Sequence, residues 1–411
     1  MTKSRLLIGF AIIIVLLPLC SMVGSCNSNQ DLDSRLRAIA KEYRFDFVSW
    51  EFSALGEELG KALHNPPGDS ENDIDIVVEY FANLEDIRWL EAVIEAVTTG
   101  TREGDLLSLE DELDRRLRYS EEIIDSVEKT LETQIREALS QQGISNPIES
   151  YIGEKIKFPP VNFILEKPPH LLVISPRDRI ESMREIALLP EMTREEMEAI
   201  EAEVDKLGVV SLVVNLGGIA TYPNFVTNRA SLQFVLNTAS EEWLHQYLTF
   251  TPLGFRYILD LMGVKRDYDI ATMNETVAGI VSKEIGEIVY EKYYAARMDG
   301  AAENIPTGFD FNKEMRDIRK TVDDYLSRGM IIEAEEFMEG RREYLVENGY
   351  NIRKLNQAYF AFHGTYADAP TSVSPIGAEL KALRSQTESL KEFLDTVVVM
   401  TSRQDLKETL D

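Results

Sequence analysis

The stretch SLQFVLNTASEEWLHQYLTF, residues 231–250, contains no Gly or Pro and sets Leu232, Val235, Ala239 and Trp243 close together on one helix surface. Within it stand Glu241-Glu242-Trp243-Leu244-His245. Residues four apart on a helix differ in direction by about 40°. Glu241 and His245 therefore point the same way, with Glu242 beside them. The outer pair can hold a metal ion, and Glu242 is then placed to take a proton from water activated there. Taken alone the pattern is weak: with 71 Asp and Glu and four His, an acidic residue three before a histidine is expected on the order of once by chance.

A second element changes the weighing. The run Asn274-Glu275-Thr276-Val277-Ala278-Gly279 opens another long helix. From the strand near Val213 to about Arg297 the chain resembles the gluzincins, the thermolysin-like class of metallopeptidases: a strand, an H-E-x-x-H helix, then a helix whose N-E pair carries a glutamate ligand. The resemblance implies an α+β core with a small sheet and two ligand-bearing helices. It implies His245, Glu275 and Glu241 as metal ligands, Glu242 as general base, and Asn274 as the residue that orients His245. The strand near Val213 would bind a peptide or protein substrate by edge pairing. His363, Tyr359 or Tyr366 would stabilise the oxyanion, a task this class often gives to a Tyr or His beyond the ligand helices. The flanking regions resemble bacterial exported proteins in which H-E-W-L-H is expected where this chain has E-E-W-L-H.

Two departures from the class fall together. Glu241 occupies the place of the first ligand histidine, so the donor set becomes Glu241, His245 and Glu275. Two carboxylates neutralise a divalent cation fully, which makes it a weaker Lewis acid. They also shift preference from Zn2+ towards harder ions such as Mn2+, Mg2+ or Ca2+. Four residues after the ligand glutamate, where the class commonly places an aspartate to orient the first histidine, stands Gly279.

Outside this core the chain reads as helical. Leu106, Leu109, Leu113, Leu117, Ile124, Val127, Leu131, Ile135 and Leu139 form one apolar stripe on a helix that Gly143 can terminate. After Pro147 the character changes: Val161 to Leu165 and Leu171 to Ser175 are short β-type runs between Pro pairs. Thr193 and Glu196 form a capping box for a helix closed by Gly208, and Val209 to Leu216 make a third strand. Lys313 to Arg328 and Ile332 to Asn348 are amphipathic helices about a turn at Gly329. Tyr359, Phe362, His363 and Tyr366 follow within two helical turns, a spacing that usually means core packing. The expected architecture is a mainly helical α+β protein. Its regions are a signal segment (1–25), an N-terminal helical domain (26–150), the gluzincin-like core (151–300) and a C-terminal helical domain (301–411).

A net charge of −28 repels phosphate backbones and argues against nucleic-acid binding. Cys20 and Cys26, the two cysteines, both belong to the N-terminal apolar segment or its edge, which leaves no disulfide framework or thiolate metal site for the folded body. Lys3 and Arg5 precede the uncharged run LLIGFAIIIVLLPLCSMV, a signal-peptide core. The following Val23-Gly24-Ser25-Cys26 resembles the bacterial lipoprotein signal, in which the cysteine is lipidated. A retained membrane anchor is the alternative. Either reading tethers the body outside the cytoplasm. The expected function is a membrane-attached extracytoplasmic metallopeptidase. Its rival is an impaired peptidase fold serving as a binding or scaffolding lipoprotein. Oligomeric state has no signature in the sequence.

Overall fold

The computed structural model describes residues 30–47, 50, 73–147, 158–262, 264–297, 309–364, 369 and 371–410. The signal segment with Cys26, and Tyr366, lie outside these residues. In chain order the elements begin with helices α1 (Gln30–Ala40), α2 (Ile74–Thr98) and α3 (Leu106–Gln141). Strands β1 (Phe163–Leu165), β2 (His170–Pro176) and β3 (Arg184–Leu188) follow, then α4 (Arg194–Asp205), β4 (Val209–Val214), β5 (Gly218–Ile219) and β6 (Asn224–Val226). Helices α5 (Leu232–Thr249), α6 (Pro252–Leu261) and α7 (Tyr268–Tyr293) come next. From residue 309 onward come α8 (Phe311–Ser327), α9 (Ile331–Glu347), α10 (Gln357–His363), α11 (Ile376–Gln386), α12 (Leu390–Val397) and α13 (Arg403–Leu410). The protein is mainly helical α+β.

Helices α2 and α3 form an antiparallel hairpin, pinned where Asn83 Nδ2 donates to Ser120 Oγ at 2.8 Å and to the Arg116 carbonyl at 2.9 Å. The apolar stripe of α3 is buried only in its second half, at Val127, Leu131, Ile135 and Leu139, while Leu117 stays exposed. Gly143 follows the helix with φ +72°, the left-handed conformation that ends a helix without a Cβ penalty. Thr193 and Glu196 complete their capping box at the start of α4.

One sheet has the order β3-β2-β4, with both pairings antiparallel. Because side chains alternate along a strand, Leu172 and Ile174 of β2 face one way and pack with Leu36, Ile200 and Val204 of α1 and α4. Val173 of β2 and Leu212 and Val214 of β4 face the other way, against Ala358, Tyr359 and Phe362 of α10. The second sheet, β1-β6-β5, pairs β1 parallel to β6 and β5 antiparallel to it.

Edge pairing at Val213 is closed off. The Val213 amide donates to Glu201 Oε1 at 2.6 Å, its carbonyl accepts from Arg353 at 3.0 Å, and Asn356 takes the Ser211 carbonyl at 3.0 Å. These side chains satisfy the backbone groups that an edge strand would offer a ligand, which corrects the expectation that substrate pairs here.

Helices α5 and α7 pack so closely that a Cβ on Gly286 would stand 2.0 Å from Asn237 Oδ1. Their shared core contains Leu236, Trp243, Leu244, Val277 and Val281. That same cluster takes in Val127 and Ile135 of α3 and Leu380, Phe393 and Leu406 of the last three helices. The principal core thus runs across the boundaries at residues 150 and 300. A smaller core, around Met315, Ile318, Met338 and Phe360, belongs to α8, α9 and α10.

Candidate metal centre

Ser231 caps α5 by accepting from the Phe234 amide, and Asp267 caps α7 by accepting from the Ile270 amide at 3.3 Å. Trp243 anchors the buried side of α5 through Nε1, which donates to the Pro159 carbonyl at 2.8 Å. Gln246 ties the helix to β6 by donating to Asn224 Oδ1 at 2.7 Å. With that side fixed, Glu241 and His245 turn toward Glu275 on α7. One donor atom from each of the three lies within 4.8 Å of the others, so the group can hold a metal ion.

The parts around it are specific. His245 Nε2 is 3.6 Å from Glu275 Oε2, and His245 Nδ1 is 3.3 Å from Asn274 Oδ1. Donation from Nδ1–H to the Asn274 oxygen selects the tautomer whose Nε2 lone pair faces Glu275, the arrangement a ligand histidine needs. The other Glu275 oxygen, Oε1, accepts from the Tyr257 hydroxyl at 2.6 Å. Among the described residues, Glu241 Oε1 is buried with no hydrogen-bond partner. A buried carboxylate oxygen without a donor is costly unless a cation satisfies it. An orphaned carboxylate oxygen on a residue grouped with one imidazole and a second carboxylate fits a divalent ion.

Electrostatics agree with a site short of positive charge. Burial first, and then the neighbouring Glu275, push Glu241 up to about 7, against the opposing pull of His245 and Lys283. Burial, Glu241 and Glu275 push Glu242 up to about 8 although His245 opposes them. For His245 burial alone would lower the pKa, but Glu275, Glu242 and Glu241 together outweigh it and raise it. At Glu241 and His245 the proton favoured by these surroundings is one that a bound cation would replace.

Glu242 lies against β5. A Cβ on Gly218 would stand 2.7 Å from Glu242 Oε1 and 2.5 Å from Thr238 Cγ2. The Gly217 carbonyl accepts from the Thr227 amide at 2.8 Å and Gly218 is in register with Val226. By alternation the Gly218 amide and carbonyl turn away from β6. β5 is an edge strand, so an open edge runs beside the carboxylate of Glu242.

Tyr359 and His363 share α10, with ring centroids 4.3 Å apart. Burial pushes Tyr359 up to about 12 and lowers His363 to about 4. Tyr359 packs against the sheet face formed by Val173 and Leu212. Among the described residues no hydrogen bond or ion pair joins either of them to Glu241, His245 or Glu275.

Sequence reasoning missed three participants. Tyr257 reaches Glu275 from α6, and its only sequence signal is a polar-tipped aromatic in the apolar run PLGFRYILDL. Glu185, on β3, accepts from Ser182 Oγ at 2.6 Å; the charge of Glu275 helps to raise its pKa after burial, and its own charge helps to raise that of Tyr257. Gly218 supplies the close approach to Glu242, for which the Gly217-Gly218 pair was the available sign. Comparison with family models, with curated proteins and with solved structures finds no match in any of the three.

Proposed function

We propose that this chain is an exported, membrane-tethered metallopeptidase of gluzincin type whose ligands are Glu241, His245 and Glu275. The observation that carries the reading is the convergence of those three side chains with a buried Glu241 oxygen that lacks any donor. A divalent ion bound there supplies a Lewis acid that polarises a carbonyl and acidifies water. One imidazole and two carboxylates suit Zn2+ and suit Mn2+ better than the usual two-histidine set does.

The chain's own residues do the rest. Glu242, adjacent in sequence to a ligand, would be ionised by the charge of a bound ion and could then accept the proton of an attacking water and pass it to the leaving amine. Asn274 holds the His245 ring. The open edge at Gly218 can pair with an extended peptide and lay its carbonyl beside Glu242, a role the capped edge of β4 cannot play. Tethering follows from the N-terminal signal and Cys26. Among the described residues no helix is long and apolar enough to cross a membrane. Cys26→Ser is expected to abolish lipid labelling.

A second reading, a binding or scaffolding module on the same fold, is favoured by one observation: nothing fills the space beside Gly279, where the class keeps a supporting carboxylate. Elemental analysis of the purified protein, with hydrolysis of a mixed peptide library, separates the two. Wild type is expected to carry one divalent ion and His245→Ala none. Equal metal content in both proteins overturns the ligand assignment.

A further inference from the structure

Tyr257 projects from α6, a helix held rigidly against the end of α5. A Cβ on Gly254 would stand 2.0 Å from the Leu248 carbonyl oxygen, and Thr251 caps the turn by accepting from the Gly254 amide at 3.3 Å. Leu253 is fully buried beside it, and the Tyr257 ring packs on the main core. The backbone therefore fixes where the phenol goes, and it goes to Glu275.

The two oxygens of Glu275 have different neighbours. Oε1 accepts from Tyr257 at 2.6 Å, and Oε2 faces His245 Nε2 at 3.6 Å. We propose that Tyr257 is a positioning residue that confines Glu275 to ligation through Oε2 alone and draws off part of its charge. The inference rests on the metal reading of Glu241, His245 and Glu275.

A carboxylate can ligate through one oxygen or both. A short O–H···O⁻ bond to one of them is charge-assisted and roughly twice as strong as a neutral bond. It occupies a lone pair on Oε1 and fixes the terminal torsion of Glu275, so that Oε2 is the oxygen presented to an ion.

The second effect concerns charge. Glu241 gives the donor set two anionic side chains. A hydroxyl that shares the negative charge of Glu275 moves the set back toward the Lewis acidity of a single-carboxylate site. Tyr257 thus offsets at Glu275 part of what Glu241 adds.

The test is Tyr257→Phe, which keeps the ring and its packing and removes the hydroxyl. Mn2+ and Zn2+ affinities would be measured by calorimetry, and Co2+ would be used to read coordination from its visible absorption. Loss of an outer-shell partner typically costs about 10- to 100-fold in metal affinity; the charge freed on Glu275 works in the other direction, lost orientation outweighs it, and a net fall within that range is expected for this variant. The Co2+ bands should weaken as Glu275 becomes free to ligate through both oxygens. The thermal midpoint of the metal-free protein should stay near wild type. Unchanged affinity with an unchanged Co2+ spectrum overturns the inference while leaving the metal site standing. A lowered midpoint with both metal readouts unchanged also overturns it, since the hydroxyl would then be only structural. Wild type that takes up none of the three ions overturns the metal reading and this inference together.

Discussion

Gly218 and Glu242 lie in contact across the gap between β5 and α5, so close that the glycine's missing Cβ would overlap the carboxylate. Gly218→Ala must displace the Glu242 or the Thr238 side chain. Overpacking of this kind typically costs about 1–3 kcal/mol, and a loss of that order is expected in urea unfolding. Adding Thr238→Ser removes the methyl nearest the new Cβ and should recover part of the loss. Strict additivity of the two changes would contradict the contact.

Glu242 is adjacent to a ligand position without being one. Glu242→Gln keeps size and hydrogen bonding but removes the proton acceptor, and general-base catalysis is typically worth about 10²- to 10⁴-fold. Peptide hydrolysis should fall by that factor while metal content stays at the wild-type level. Full activity in the variant would exclude Glu242 as the base.

Stability of the metal-free protein should fall as pH rises. Glu241 at about 7 and Glu242 at about 8 lie above the ordinary carboxylate range, and His245 is raised as well. The folded state therefore binds more protons than the unfolded state through this window. The linkage slope is negative, and the stabilisation present below an unfolded carboxylate pKa of about 4.3 is lost as pH climbs toward 8. Thermal midpoints in EDTA, taken from about pH 5 to pH 8, should decrease, and Glu242→Gln should flatten the decline. A rising midpoint in EDTA would reverse the proposed electrostatics. Added divalent ion should restore stability at the alkaline end, where carboxylates and imidazole are free to ligate.

Gly279 can accept a side chain, because a Cβ there meets nothing within 4 Å. Glu241→His should therefore raise Zn2+ affinity, and Gly279→Asp on that background should raise it further, by about 10- to 100-fold if the carboxylate reaches the new imidazole. Calorimetry and peptide turnover across wild type, both single variants and the double variant read this directly. If wild type is the most active of the four, Glu241 belongs to a working Glu-His-Glu centre and is no relic of a lost histidine.

The parts of this arrangement visible in the sequence are those set by local rules. The spacing of Glu241 and His245 follows from one helical turn, the capping box at Thr193 from three residues, and the end of α3 from one glycine. β3 escaped because Arg184-Glu185-Ile186-Ala187-Leu188 contains one fully buried residue, Leu188, and becomes a strand by pairing with β2. β5 is two residues long and carries no period at all. Tyr257 and Glu275 are 18 residues apart on different helices, and they meet because Gly254 fixes α6 against the end of α5. The edge at Val213 looked open because Glu201 and Arg353, which close it, come from distant helical and loop segments. Nor does periodicity reveal that α2 and α3 share a core with the ligand helices, since an apolar stripe does not say what it covers.

That shared core has a bearing on when the site can exist. Leu406 and Phe393 lie in the same apolar cluster as Leu244 and Val277, more than a hundred residues earlier in the chain. A polypeptide emerging N-terminus first can form α5 and α7, but it cannot complete the core around them until α11, α12 and α13 arrive. Contacts of such long sequence separation form late and slowly. The grouping of Glu241, His245 and Glu275 is thus among the last things this chain assembles, and a chain still being made holds those three side chains apart.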